Sequence, residues 1–156
     1  YQTRDAMEEG DGSWMSDYPA PDQRLKPGDV GVSGDGTDLA IVSYGNGHYL
    51  ARQASRRLDA EGISTRVIDL RWLAPLPEEA LQAATKPCRN VLIVDECRRT
   101  GGQAEGLMAF FAEAGRTRIA RLTAEDSFIA TGPAYAATLP STDSIATVAR
   151  QLVAAG

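Results

Sequence analysis

Apolar positions along this chain fall into short continuous runs separated by stretches of helical spacing. Residues 39–44 (LAIVSY) form a near-continuous apolar run closed by Gly45, Asn46 and Gly47, which predicts a buried strand and its turn. Leu50, Ala54 and Leu58 then recur four apart with Ala51 on the same face, predicting a helix that Gly62 ends. Residues 65–70 bring back β-branched side chains in a second strand. About twenty residues separate the two strands, enough for a helical crossover and far more than a hairpin needs. The unit reads as βαβ.

The later chain repeats this logic. Pro75, Leu76, Pro77, Glu78 and Glu79 open a second helix, with Pro suited to a first turn and carboxylates to the positive end of the helix dipole. It is expected to end near Lys86-Pro87. Residues 91–95 (VLIVD) are apolar enough to be a central strand buried on both faces. A helix follows, with Ala104, Leu107, Met108 and Phe111 on one side. Residues 116–123 alternate weakly and predict a fourth, more peripheral strand. A loop carries Phe128, Ile129, Gly132, Pro133, Tyr135 and Pro140. The last helix is predicted to start near Ser141, Thr142 and Asp143. It shows the amphipathic stripe Ile145, Val148, Ala149, Leu152, Val153, with Gly156 at its end. Alternating strands and helices predict an α/β fold with a largely parallel sheet and helices on both faces. No internal repeat or low-complexity tract is present.

Residues 1–38 differ from the rest and read as an acidic, Gly/Pro-rich arm leading into a domain at 39–156. The arm holds nine acidic and three basic residues, a net of −6; the other 118 residues hold twelve and thirteen, a net of +1. Trp14, Met15 and Tyr18 give it something to bury, so it is expected to lie on a surface. An acidic lead-in to a nearly neutral domain does not suit nucleic acid, which needs a basic face. No run approaches the roughly 20 apolar residues of a membrane span, and no secretion signal is visible. A polar opening that begins at Tyr1 suggests a piece of a longer polypeptide. Two cysteines, Cys88 and Cys97, are too few for a disulfide framework and too far apart for a CxxC pair; buried thiols in a reducing compartment are expected.

Candidate chemistry is sparse. Two GDG triplets, Gly10-Asp11-Gly12 and Gly34-Asp35-Gly36, resemble the start of a Mg²⁺–diphosphate motif. Neither follows an apolar strand, and Asn46 lies on the wrong side of a strand rather than after a helix, so both read as turns. In open α/β sheets ligands gather at the carboxyl ends of strands. At the first such end stands His48, the one histidine, as a general base or as a surface or capping residue; a single His excludes a multi-histidine metal site. At the second, Asp69 and Arg71 read as solvent-side neighbours, with Trp72 over the core edge or lining a pocket or interface. The third is the Asp95 to Gly102 loop, in which Glu96, Cys97, Arg98, Arg99, Thr100, Gly101 and Gly102 precede a helix. Paired glycines there would let backbone N–H groups approach an anion, or serve as a packed helix entry. The pattern is neither GxxxxGK[ST] nor GxGxxG. No nucleophile elbow, metal cluster or cofactor fingerprint appears.

Taken together, LAIVSYGNG, a helix, TRVIDLRWLAPLPEEAL, NVLIVDE, TGGQAEGL and LPSTDSIATVARQL resemble the C-terminal domain of transketolase-like enzymes. More closely, the chain is similar to that domain in the β half of thiamine-diphosphate-dependent 2-oxoacid dehydrogenase E1 components, of 2-oxoisovalerate or pyruvate type. EEGDG, YPAP and YGNG look most like E1 proteins with fused α and β portions. The resemblance implies a three-layer αβα domain with a five-stranded, mostly parallel sheet and one antiparallel edge strand; the residues themselves resolve four strands. It implies a parent oxidoreductase that decarboxylates a 2-oxoacid on thiamine diphosphate and Mg²⁺ and acylates the lipoyl groups of E2. This segment would be catalytically inactive alone and bind no cofactor or metal. Many E1 β subunits carry a His four residues after the Gly of the YG turn; here that position is Tyr49, so no role passes to His48. The implied work is assembly in a cytoplasmic oligomer; the alternatives are a stand-alone assembly or binding module of the same fold, or the C-terminal domain of another thiamine enzyme such as transketolase or deoxyxylulose-phosphate synthase. Partners would be an upstream pyrimidine-binding domain, a second E1 protomer and a lipoyl-bearing E2, with Glu96, Arg98, Arg99, Gly101 and Gly102 at an intersubunit or interdomain contact.

Overall fold

The computed structural model describes residues 18, 20–22 and 24–155. The expectations for Gly10-Asp11-Gly12, Trp14, Met15 and Gly156, and for half of the arm, lie outside them. The elements run β1 (Gly31–Ser33), β2 (Leu39–Ser43), α1 (Gly45–Ala60), β3 (Thr65–Asp69), α2 (Glu78–Thr85), β4 (Asn90–Arg98), α3 (Gln103–Glu113), β5 (Ile119–Ala124), a 3-10 turn (Gly132–Ala137) and α4 (Thr142–Ala154). One five-stranded sheet has the order β1-β3-β2-β4-β5. β2, β3, β4 and β5 are mutually parallel, and β1 pairs antiparallel with β3 at the edge.

Strand residues alternate between two cores, which makes the domain three layers. Ala40, Val42, Ile68, Val91 and Ile93 pack with Leu81 and Ala84 of α2 and with Ala104, Leu107 and Phe111 of α3. Leu39, Ile41, Val67, Leu92 and Val94 pack on the other face with Ala51, Ala54 and Leu58 of α1 and Ile145, Ala146 and Ala149 of α4. Both faces of the sheet are thus covered, and the central strands need the near-continuous apolar runs seen in the sequence.

Helix ends follow local chemistry. At the end of α1, Gly62 (φ +83) lets its own N–H reach the Asp59 carbonyl and the Ile63 N–H reach Leu58. Ser141 and Ser144 cap α4 reciprocally, each side chain accepting the other's backbone N–H.

The structure departs from the sequence reading in places. The fifth strand is β1, three residues within the stretch read as arm. Gly45, Asn46 and Gly47 form the first turn of α1, with Tyr44 as its N-cap, rather than a separate turn. β4 continues through Arg98, past an irregularity between Asp95 and Arg98 in its pairing with β5. Cys88 is buried, but Cys97 is exposed because it lies on that extension beyond the covered part of the sheet.

Candidate functional site

Four parallel strands deliver their carboxyl ends to one edge, so the residues that leave β2, β3, β4 and β5 share it. Because β1 runs the other way, its first residue also sits there, Gly31 opposite Asp69.

The centre of this edge is Asp95, buried at the end of the apolar part of β4. One carboxylate oxygen accepts the Tyr44 hydroxyl at 2.6 Å and the Cys97 N–H at 2.8 Å. The other accepts the N–H of Ala104 at 2.8 Å, in the first turn of α3. One side chain therefore ties the end of β2 to the start of the next strand's helix. Burial, then the bond to Asp95, pushes the Tyr44 phenol well above its usual range, so it stays a donor. Its oxygen also lies 3.4 Å from the Cys97 sulfur. Beside it, Asn46 Nδ2 donates to Glu96 at 2.9 Å, and the Ser43 hydroxyl donates to the Val94 carbonyl.

The glycine pair is occupied by the fold itself. Gly101 N–H is taken by the Glu105 carboxylate at 3.0 Å, and Thr100 gives its N–H and hydroxyl to Asp126 at 2.8 and 2.6 Å. Gly102 lies so close to Arg98 that a Cβ there would stand 2.6 Å from its carbonyl oxygen. The amides at 100, 101 and 104 thus already have carboxylate acceptors, and the loop is a packed helix entry. Of the residues singled out from the sequence, Glu96 and Gly102 are half-buried, while Arg98, Arg99 and Gly101 are exposed together on the surface of this loop.

His48 sits in the first turn of α1, with its Nδ1 buried and lacking a hydrogen-bond partner. Burial is the main cause that holds its pKa below the usual value; Arg52 and Arg71 add to this, and Asp69 opposes it. Its folded pKa lies below the unfolded one, so the unfolded chain binds the extra proton on acidification. Stability from His48 is present above about pH 6.5 and is lost as pH falls toward the folded pKa. His48→Asn is expected to flatten the pH dependence of the denaturation midpoint between about pH 7 and 5; wild type and variant tracking each other in parallel would remove this role.

Asp69 and Arg71 pair at 3.2 Å, as neighbours on the solvent side. Arg71 adopts φ 54 and turns the chain outward, so Trp72 is exposed instead of covering the core edge. The Gly34-Asp35-Gly36 triplet lies at the opposite edge, where Gly36 N–H donates to the Thr65 carbonyl and Arg66 reaches the Asp35 carbonyl. Among the described residues, no group of three or more His, Cys, Asp or Glu is placed to hold a metal ion, and no helix is long and apolar enough to cross a membrane.

Asp95 opens the loop singled out from the sequence, but its bond to Tyr44 was not expected. They are 51 residues apart and meet only because β4 lies beside β2. The usable signal was an Asp closing an apolar β-run, a carboxylate that burial obliges to find donors.

Comparison with known proteins adds to this geometry. The family model for the transketolase C-terminal domain matches residues 28–145. The β subunit of 2-oxoisovalerate dehydrogenase from Bacillus subtilis is 35% identical over 97 residues, covering 62% of this chain and 30% of that protein. The 1-deoxy-D-xylulose-5-phosphate synthase of Bacteroides fragilis is 34% identical over 125 residues, covering 79% of this chain and 19% of that protein. An inactive beta4 tetramer of a split-gene transketolase superposes with a TM-score of 0.76 at 24% identity, over 86% of this chain and 44% of that one, a likeness of fold. The chain spans less than half the length of each.

Proposed function

The chain belongs to the transketolase C-terminal domain family, and from that premise we propose that it is the assembly domain of a 2-oxoacid dehydrogenase E1 component. The parent would decarboxylate a branched-chain 2-oxoacid or pyruvate on thiamine diphosphate in the cytoplasm and pass the acyl group to lipoyl-E2. The cofactor and its Mg²⁺ belong to other domains of that parent. Gly34-Asp35-Gly36 does not fit a metal–diphosphate role, because Gly36 is packed on the Ser64–Thr65 backbone. The observation that carries the non-catalytic reading is the polar network around Asp95. Its oxygens are taken by the Tyr44 hydroxyl and by the Cys97 and Ala104 N–H groups, which supports a structural rather than a catalytic part for this carboxylate.

In this reading the exposed loop with Glu96, Arg98, Arg99, Gly101 and Gly102 meets the upstream pyrimidine-binding domain or a second protomer. Changing Arg98→Glu together with Arg99→Glu in the full enzyme is expected to lower oligomer mass in light scattering and thiamine-dependent activity with it. Losing two rim charges and adding two repulsive ones should weaken assembly about tenfold or more. Unchanged mass and unchanged activity would remove the assignment.

The relative from Bacteroides fragilis supports a second reading, the same domain in a deoxyxylulose-phosphate synthase. The two separate by product. Decarboxylation of a 2-oxoacid coupled to an artificial electron acceptor marks E1; condensation of pyruvate with glyceraldehyde 3-phosphate marks the synthase.

A further inference from the structure

Four charged or titratable side chains meet at the corner where β1, β3 and the start of α1 come together. Val67 packs in the core under α1, so Asp69, two residues further along β3, points to the same side of the sheet. Gly31 of β1 is its cross-strand partner and faces the same way. A Cβ at Gly31 would stand 2.6 Å from a terminal nitrogen of Arg71, so the Arg71 guanidinium fills the ledge that this glycine leaves on the α1 side. From α1 come His48 and Arg52, four apart and hence neighbours on one helix face. The charges of Asp69, Arg52 and Arg71 all act on the His48 imidazole, so the four groups surround one another.

The protein answers only part of this cluster. Arg71 gives its Nε to Asp69 at 3.2 Å, which leaves its terminal nitrogens over Gly31. Arg52 is half-buried, and among the described residues no carboxylate pairs with it. Other arginines in the α1–α4 layer differ: Arg57 has Asp143 and Arg150 has Glu61. His48 Nδ1 is buried without a hydrogen-bond partner. Two guanidinium charges thus face one carboxylate, beside a buried ring nitrogen that is also unsatisfied. Arg71 reaches this place from a left-handed backbone, φ 54, and it is the one non-glycine with a positive φ among the described residues. Such strain persists where the surroundings hold it, and it gathers at ligand clamps.

The chemistry of the unanswered groups names the class of ligand. Guanidinium groups offer donors in a planar fork that matches carboxylate and phosphate oxygens. A neutral imidazole can donate from Nδ1 to such an oxygen, or accept there from a phosphate that keeps a proton. A cation would add to the excess positive charge, and an apolar group would leave every donor unmet. We propose that Arg52, Arg71 and His48 form a binding site for a small oxyanion, a carboxylate or a phosphate, at the corner of α1, β3 and β1. The site lies apart from Asp95, whose oxygens are already taken by protein donors, and from the loop with Arg98 and Arg99. It therefore stands whichever thiamine enzyme the parent is.

The test is arginine modification by phenylglyoxal on the native-length protein, read residue by residue from peptide masses. The probes are sodium phosphate and sodium acetate, each against sodium chloride at equal ionic strength. Modification of Arg52 and Arg71 is expected to slow about tenfold once a probe stands at ten times its dissociation constant. Arg98 and Arg99 should react at the same rate in all three salts. Protection by phosphate alone assigns a phosphoryl group, by acetate alone a carboxylate, and by both an oxyanion held through charge and shape. Equal rates at Arg52 and Arg71 in all three salts would overturn the site. Arg52→Gln breaks no ion pair with a described residue, and it should raise the probe concentration needed to protect Arg71 about tenfold or more. Arg52→Lys, which keeps the charge, should restore part of that protection. Protection of Arg71 that is the same in wild type and Arg52→Gln would show that the two arginines do not share a ligand, and the proposal would fall.

Discussion

Asp95→Ala is expected to lower unfolding free energy by about 3–5 kcal/mol, a large part of the roughly 5–15 kcal/mol that holds a domain of this size. The carboxylate accepts the Tyr44 hydroxyl and two backbone N–H groups, those of Cys97 and Ala104. Alanine leaves those three donors without their acceptor at the closed edge, and each unpaired buried group costs about 1–3 kcal/mol. The loss should spread beyond the residue, since the first turn of α3 and the extension of β4 are both fixed by this side chain. Asp95→Asn should fall between wild type and alanine. Its oxygen can serve Tyr44 and Cys97, but its amide would face the Ala104 N–H donor to donor. Urea denaturation of the three proteins decides it. Alanine and wild type unfolding within about 0.5 kcal/mol of each other would mean that Asp95 holds nothing.

Gly36→Ala is the second large effect, expected to destabilise by about 3 kcal/mol or more. The connection from β1 to β2 crosses the start of β3, and a Cβ on Gly36 would collide with the backbone of Ser64 and Thr65. Backbone atoms within a sheet cannot swing aside as a side-chain tip does. Yielding there would pull apart the hydrogen bonds from Thr37, Asp38 and Leu39 to Ser64. Gly115→Ala provides the comparison. Gly115 has φ +77 and open space around its Cβ position, so alanine there meets only backbone strain, about 1–2 kcal/mol. Equal losses at the two sites would show that close approach is not what Gly36 provides.

These two residues also mark where the sequence was legible and where it was not. The four parallel strands and four helices are written in apolar runs and helical spacing, since each buries a stripe or both faces of its own. β1 is not, because three residues with Gly31 first and Ser33 last carry no period, and its place comes from pairing with β3. The resemblance to a known family supplied that strand and its direction. Gly36 reads in sequence as one more turn glycine; its tight fit exists only once β3 lies beneath it. The candidate loop was found because strand ends can be read from sequence. What it does there was not, since Asp95 and Glu105 fill its amides through contacts that side-chain spacing cannot announce. Arg98 and Arg99 stand outward as expected of charged residues near a helix entry.

The two cores are completed by different stretches of chain. The face under α2 and α3 is built from residues 40–111, with Val30 and Ile119 packed at its margins. The face under α1 lacks Ile145, Ala146 and Ala149 until α4 arrives, and Arg57, Glu61 and Gln53 of the α1 region find Asp143, Arg150 and Thr142 only then. On a ribosome, one side of the sheet can therefore close while the other still shows Leu39, Ile41, Leu92 and Val94 to solvent. The most C-terminal of the described helices is the lid on that side, and a pause or truncation before residue 142 would release a half-covered sheet, the form that chaperones recognise and that aggregates.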